Sequence, residues 1–339
     1  MALTRDNHFV PQLYLKNFAT NSGDVLEYRI LVSHPKVPIW KSVNVAGTGY
    51  EKNLYTRIVR GEEADDIEQW LNNEFESPAR EPIQKVLEDK ELTRNDWEKL
   101  VRFLASQIVR TPAFVIKNLP IWNRMAPVIL DQTLRDVEAR LREAKESGQK
   151  FADDDAPHTE YFPLKTDRKD LPEEKKVQFT TKLVVGRGLW FYTMKHILTN
   201  TLKVLHKHKW TILEAPARLS WFTSDDPVLC LNFRSESDYD LNGGWNRERA
   251  NILFPLSPRH LMITEIGAGP YPRRVPSCYH ARLFRRMIAE HAHRRIYSLS
   301  EDSKVPELKP RFEDALAYQN ERRLWAAWYE DQSRAEQSL

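Results

Sequence analysis

The chain has 339 residues, 41% apolar and 29% charged, so it can bury a sizeable core without a metal or a disulfide to hold it. Lys and Arg number 51 against 48 Asp and Glu, a formal charge of +3. That balance excludes a polycation binding nucleic acid through bulk charge, and any such role must come from a local patch. Two cysteines, Cys230 and Cys278, are too few for a disulfide framework or a four-thiolate zinc site and fit a reducing cytoplasm. The opening MALTRDNHFVPQ lacks the apolar core of a signal peptide, and no run approaches the roughly 18 apolar residues of a membrane span. The expectation is a soluble cytoplasmic protein with no membrane partner.

Taken in chain order, Pro11 stands where a first helical position falls, and Gln12 to Ala19 supplies two turns with Leu13, Tyr14 and Phe18 inward. DVLEYRIL (24–31) and YEKNLYTRI (50–58) alternate and predict a small strand element over 24–58. From Glu62 to Leu87, Ile67, Trp70, Leu71, Phe75, Ile83, Val86 and Leu87 follow helical spacing, interrupted near Ser77-Pro78. Thr93 with Asp96 three residues on predicts an N-cap, and the helix it opens runs to Arg110, with Pro112 turning the chain. Another helix is expected over about 122–146. The polar stretch 147–172 reads as a loop, with helix resuming over 173–207. WTILEA, LSWFT, VLCLNF, NILFPLS and HLMITEI make 210–267 a β-rich module of hairpins. Helix returns over 279–294 and 310–332.

Helices thus occupy about 62–207 and 279–332, strands segregate from them, and the fold class is α+β, mostly helical with an antiparallel hairpin sheet, in one domain over 1–339. Only 11 glycines occur, and none falls in a phosphate-cradling G-x-x-x-x-G-K-[ST] or a G-x-G-x-x-G, so no nucleotide cofactor is indicated. H-E-x-x-H, G-x-S-x-G and C-x-x-C are also missing.

Four constellations carry polar chemistry. The first is His8-Phe9-Val10-Pro11-Gln12-Leu13-Tyr14-Leu15-Lys16-Asn17-Phe18. With Gln107-Ile108-Val109-Arg110-Thr111-Pro112, Thr223-Ser224-Asp225-Asp226-Pro227-Val228 and Pro255-Leu256-Ser257-Pro258, in that order, it resembles a large bacterial family numbered 4238 among the domains of unknown function. Members of that family open with the same His, Val-Pro, Tyr-Leu and Phe, which here stand as His-x-Val-Pro-x-x-Tyr-Leu-x-x-Phe. They more often carry Asn where Asp226 stands, and a Leu-Asn pair where this chain has Phe284-Arg285. The resemblance brings no established reaction with it.

His8 is the one side chain of its motif that titrates near neutrality, and a following helix N-terminus disfavours its imidazolium, leaving a base or a metal ligand. Gln12 would share its pocket. Asp225 and Asp226, with Ser224, offer oxygen ligands for Mg²⁺ or a base with a positioning partner; a plain Asx-type turn before Pro227 is the simpler alternative. Gln107 and Arg110, three apart on one helix, suit a phosphate or carboxylate, with Glu68 or Glu76 as the alternative partner of Arg110 and Glu76 itself a substrate contact. Last, Arg282, Arg285, Arg286 and His293 fall on one broad helical face able to track a nucleic-acid backbone, unless that face is only solvated charge.

Two functions follow. Either His8, Arg110 and Asp225, with Gln107, converge on one pocket of a hydrolase of phosphodiester or phosphorylated substrates, with or without Mg²⁺, of the kind found in nuclease toxins and phage-defence effectors, or the chain is a non-catalytic module that docks nucleic acid or an acidic protein partner through its Arg-rich helix.

Overall fold

The computed structural model describes residues 3–59, 61–147, 163–171, 176–271 and 274–337. The chain opens with β1 (Asp6–His8) and α1 (Gln12–Leu15), the latter running into a 3₁₀ turn over Lys16–Phe18. Then come β2 (Asp24–Arg29), β3 (Leu31–Val32), β4 (Trp40–Asn44), β5 (Tyr50–Lys52), β6 (Arg57–Val59) and β7 (Glu62–Ala64). Helices follow as α2 (Asp66–Leu71), a π turn over Asn72–Glu76, α3 (Ser77–Leu87), α4 (Arg94–Val109) and α5 (Pro112–Ser147). Next are β8 (Leu164–Leu171), β9 (Lys176–Leu183) and α6 (Arg187–Thr199), and then β10 (Thr211–Glu214), β11 (Thr223–Ser224), β12 (Leu229–Ser235), β13 (Asp238–Asp240), β14 (Ala250–Pro255) and β15 (His260–Glu265). The chain closes with α7 (Cys278–His291), β16 (Arg295–Ser298), α8 (Val305–Leu308), β17 (Phe312–Glu313) and α9 (Ala315–Gln337).

The class is α+β, with helices beside several small, mainly antiparallel sheets. The 210–267 block builds an antiparallel five-stranded sheet in the order β10-β15-β14-β12-β13. Its central strands β14 and β15, and the first half of β12, read as nearly unbroken apolar runs because both faces are covered there. On β14, Ile252 and Phe254 enter one core cluster with Tyr14, Phe103 and Trp190, while Leu253 between them enters a second with Tyr28, Trp221 and Met287, as the two-residue strand period requires.

Several expectations are corrected. The strands of 24–58 do not stand apart: β2 and β4 share a four-stranded sheet with β11 and β16, in the order β11-β16-β2-β4, so the hairpin block lends one strand and the chain after α7 another. Residues 176–183, expected within a helix over 173–207, form β9, paired with β8 at Thr166↔Thr181. There the alternation KVQFTTKL with its β-branched residues overrides the helix reading that the flanking Glu and Lys invite. The remainder of that helix is α6 and a 3₁₀ segment over Thr201–Lys207; of the expected loop 147–172, residues 148–162 and 172 lie outside the described residues, and Leu164–Leu171 form not a loop but strand β8, whose backbone groups pair with β9. Finally, α5 begins at Pro112 rather than near 122, because Thr111 Oγ accepts the Phe114 amide hydrogen at 3.2 Å and proline suits the first helical position.

The expected cap of α4 is a reciprocal box: Thr93 Oγ accepts from the Asp96 amide at 3.2 Å, and Asp96 accepts from the Thr93 amide at 2.8 Å. The chain runs from α2 to α3 without the break expected at Ser77-Pro78, since Pro78 falls in the first turn of α3.

Candidate active-site cleft

Tyr14 fixes the N-terminal motif against the hairpin sheet. Its hydroxyl donates to the Pro255 carbonyl at 2.5 Å and lies 2.6 Å from Thr223 Oγ, and Asn17 donates to the Leu256 carbonyl at 3.0 Å. Three of the four motif blocks therefore meet at one buried junction. Val10 extends the anchorage through its amide to the Gly49 carbonyl, where φ is +69° and a Cβ would press to 3.2 Å on Val10 and Leu15.

Beside that junction α1 faces the α2–α3 helix across a cleft of about 500 Å³. His8, Gln12, Lys16, Glu68, Glu76 and Arg80 are among the residues that line it. The π turn brings the two glutamates together. Eight residues at about 3.6 per turn would leave Glu76 roughly 80° round the axis from Glu68, whereas one π turn takes about one residue more and returns the pair to a common face.

Beneath the cleft Arg110, at the end of α4, is fully buried. Its guanidinium donates to Glu76 Oε1 at 2.6 Å and to the main-chain carbonyl of His8 at 2.7 Å, and lies over the Tyr55 ring at 5.8 Å. Tyr55 returns a hydrogen bond to the Arg110 carbonyl at 2.6 Å. Burial works against the charge on Arg110, but Glu76, Tyr55 and Glu68 more than offset it.

Two acid–base groups line the cleft with buried, unpartnered atoms: Nε2 of His8 and Oε2 of Glu68. Burial lowers the His8 pKa, the backbone of Asp6 and Ala46 opposes the shift, and Arg110 adds to it. The expected direction is thus present, but desolvation leads it and not a helix dipole, since α1 is only four residues long. Burial, opposed by Arg110 and reinforced by Glu76 and Asp65, pushes Glu68 up to about 7. The Tyr50 ring packs against His8 at 5.4 Å. At the cleft wall Arg80 and Lys16 are exposed and pair with no carboxylate among the described residues.

Of the residues singled out in the sequence, His8, Gln12 and Glu76 line this cleft and Arg110 supports it. Gln107 is fully buried, donates to Ser106 Oγ at 3.1 Å and is not on the cleft wall. Asp225 does not join His8 either. Its carboxylate accepts the main-chain amides of His293 at 3.0 Å and Arg294 at 2.9 Å, tying the turn between α7 and β16 to β11, and burial raises its pKa. Ser224 Oγ donates to the Asp226 carbonyl and accepts its amide, which is the turn-forming alternative. Asp226 accepts from Thr111 Oγ at 3.3 Å and has His291 Nε2 at 3.1 Å; an Asn there keeps an acceptor for Thr111.

Asp225 and Asp226 therefore do not fit a Mg²⁺ site, their oxygens being engaged by amides, a hydroxyl and an imidazole. Among the described residues no group of three or more His, Cys, Asp or Glu is arranged to hold a metal.

The expected basic face of α7 is also largely consumed. Arg285 is buried, donating to the Ser220 carbonyl and to Asp302 and lying over the Phe222 ring. Arg286 donates to Tyr239 Oη at 2.8 Å and to the Glu236 carbonyl at 2.9 Å. His293 lies beyond the helix end, and of the three arginines Arg282 alone stays exposed without a partner among the described residues. The shared face fails because α7 buries Ala281, Leu283, Met287 and Ile288 against the second core, and Arg285 falls within that stripe.

Sequence reasoning missed Glu68, Arg80 and Lys16 as site residues. Glu68 carried one signal, its place eight residues before Glu76, which the π turn converts into a shared face.

No helix among the described residues is long and apolar enough to cross a membrane. A family model described as Protein of unknown function (DUF4238) matches residues 6–302, and the chain belongs to that family. No curated protein and no solved structure matches the chain.

Proposed function

We propose that this family member is a hydrolase of a phosphodiester or other phosphorylated substrate, working in the cleft between α1 and the α2–α3 helix. The observation that carries the reading is that His8 and Glu68 line one cleft with buried, unpartnered acid–base atoms, beside the uncompensated cations Arg80 and Lys16. Perturbed acid–base groups in a cleft mark a site better than either residue does alone.

The roles follow from charge. With its pKa lowered, His8 is neutral at pH 7 and able to take a proton from water; the water oxygen attacks phosphorus. Glu68, with its pKa near 7, is partly protonated there and gives its proton to the leaving oxygen as the P–O bond breaks. Lys16 and Arg80 receive the anionic phosphoryl group, and Arg110, clamped by Glu76, holds the His8 main chain in place. The alternative of a module docking nucleic acid through α7 has only Arg282 left to offer among its three arginines.

The test is hydrolysis of bis(p-nitrophenyl) phosphate and of labelled RNA and DNA by purified protein, with His8→Ala and Glu68→Gln compared at equal folded concentration. The expected result is turnover by the native chain and a loss of about 10²–10⁴-fold in each variant. Equal rates in native protein and both variants would discard the reading.

A further inference from the structure

A second cavity, of about 780 Å³, lies on the other side of His8's neighbour Tyr50, between the edge of the N-terminal strands and α9. Small-molecule sites commonly fall in the range of roughly 300–1,000 Å³. The walls differ in kind from those of the cleft. Five cations, Arg29, Lys52, Arg294, Arg295 and Arg322, face three carboxylates, Glu51, Glu321 and Glu330. Part of the positive charge is unmatched. Arg29 and Arg295 share the single carboxylate of Glu27, at 2.5 and 3.5 Å, and Arg294 takes Glu321 at 2.7 Å. Arg322 and Lys52 reach no carboxylate within ion-pair distance among the described residues. Glu51 is biased toward its neutral form by burial, although Arg295 opposes the shift.

The rest of the wall is aromatic. Tyr318, Trp325 and Tyr329 come from α9 and Tyr50 from β5, with the Arg322 guanidinium over the Tyr318 ring at 5.8 Å. Rings and guanidinium planes together bind a flat π-system that carries negative charge, through stacking and charge-assisted hydrogen bonds. The wall from α9 is held by three ties: Glu321 to Arg294, Tyr329 to Glu63, and Glu336 to the buried Arg187. The cavity is thus built into the fold, and one side of it, residues 315–337, lies beyond the stretch matched to the family.

We propose that this cavity binds a small ligand consisting of an aromatic ring with an anionic group, of the size and charge of a nucleoside monophosphate, its anion on Arg29, Arg295 and Arg322 and its ring against the tyrosines and Trp325. The site is separate from the hydrolytic cleft, and the two stand or fall independently.

The experiment is isothermal titration of the purified full chain at low ionic strength with AMP, adenosine and inorganic phosphate in separate runs. AMP is expected to bind in the micromolar range, and adenosine and phosphate each at least tenfold more weakly, because each carries half of the recognition. Arg322→Ala and Tyr318→Ala, both on the face of α9 and checked for native circular dichroism, are each expected to weaken AMP about tenfold or more, while Arg80→Ala, in the other cleft, leaves its affinity unchanged. No AMP heat at millimolar concentration, phosphate binding as tightly as AMP, or AMP affinity that survives both α9 substitutions or falls with Arg80→Ala would overturn the proposal.

Discussion

Glu76→Ala probes the support beneath the cleft most sharply. Arg110 is 0% exposed and Glu76 13%, with 2.6 Å between them, so the substitution strands a guanidinium in a setting that water does not reach. Its remaining hydrogen-bond partners, the His8 carbonyl and the Tyr55 side chain, carry no compensating charge, and the nearby Glu68 is itself pushed toward its neutral form by burial. Breaking one side of a buried pair costs about 3–5 kcal/mol. That is a large fraction of the roughly 5–15 kcal/mol that holds a domain folded. Glu76→Gln keeps an acceptor and loses only the charge, so its cost should be smaller, about 1–3 kcal/mol. Urea denaturation followed by tryptophan fluorescence measures both, with the slope against denaturant expected to stay constant. A loss below about 1 kcal/mol for Glu76→Ala, the range of solvated pairs, would refute the argument that Arg110 needs this carboxylate.

Three further outcomes follow. Glu68 has a folded pKa near 7, above its ordinary value, so it binds its proton more tightly in the native state; its stabilising effect is complete below about pH 4.5 and disappears as pH rises through 7. Glu68→Gln should therefore gain on the native protein at pH 8 by on the order of 2 kcal/mol, allowing for partial solvent screening, and thermal melts at pH 5 and pH 8 that shift equally for the two proteins would contradict this. Tyr14→Phe removes the hydroxyl shared by Pro255 and Thr223 and should cost about 1–3 kcal/mol in urea, since it leaves a buried carbonyl unpaired; an unchanged midpoint would show the junction to be slack. Asp225→Ala leaves the His293 and Arg294 amides without their acceptor and should destabilise by about 2–4 kcal/mol while leaving the hydrolytic rate per folded molecule intact. A rate that collapses with stability unchanged would restore Asp225 to the chemistry.

The sequence carried those features that depend on local patterns. The Thr93 box, the apolar runs of β12, β14 and β15, and the inward Tyr14 and Phe18 all follow from periodicity and cap chemistry, which act within a few residues. Non-local pairing was hidden. Nothing in DVLEYR announces that its strand partner is RIYS, some 270 residues on, and nothing in Thr223-Ser224 announces departure to a different sheet. The site shows the same division. His8, Gln12, Glu76 and Arg110 stood out as polar residues at element ends or at helical spacing, and they do assemble around one cleft. Asp225 looked equally chemical, but its carboxylate serves two amides from a turn that only the folded chain brings near. Glu68 stands out in the sequence only as a candidate partner of Arg110 and not as a cleft residue, because a pattern read at 3.6 residues per turn places it on a different face from Glu76, and a π turn leaves no mark in composition.

The pH dependence of phosphodiester hydrolysis tests the central assignment, a His8 base working with a Glu68 acid. Measured as kcat/KM from pH 4.5 to 9, the native chain should give a bell whose alkaline limb falls near pH 7 as Glu68 loses its proton, with an acid limb below the usual imidazole value as His8 gains one. Glu68→Gln should abolish the alkaline limb and leave the acid one. A native rate that stays level from pH 7 to 9, or an alkaline limb that persists in Glu68→Gln, would contradict the account.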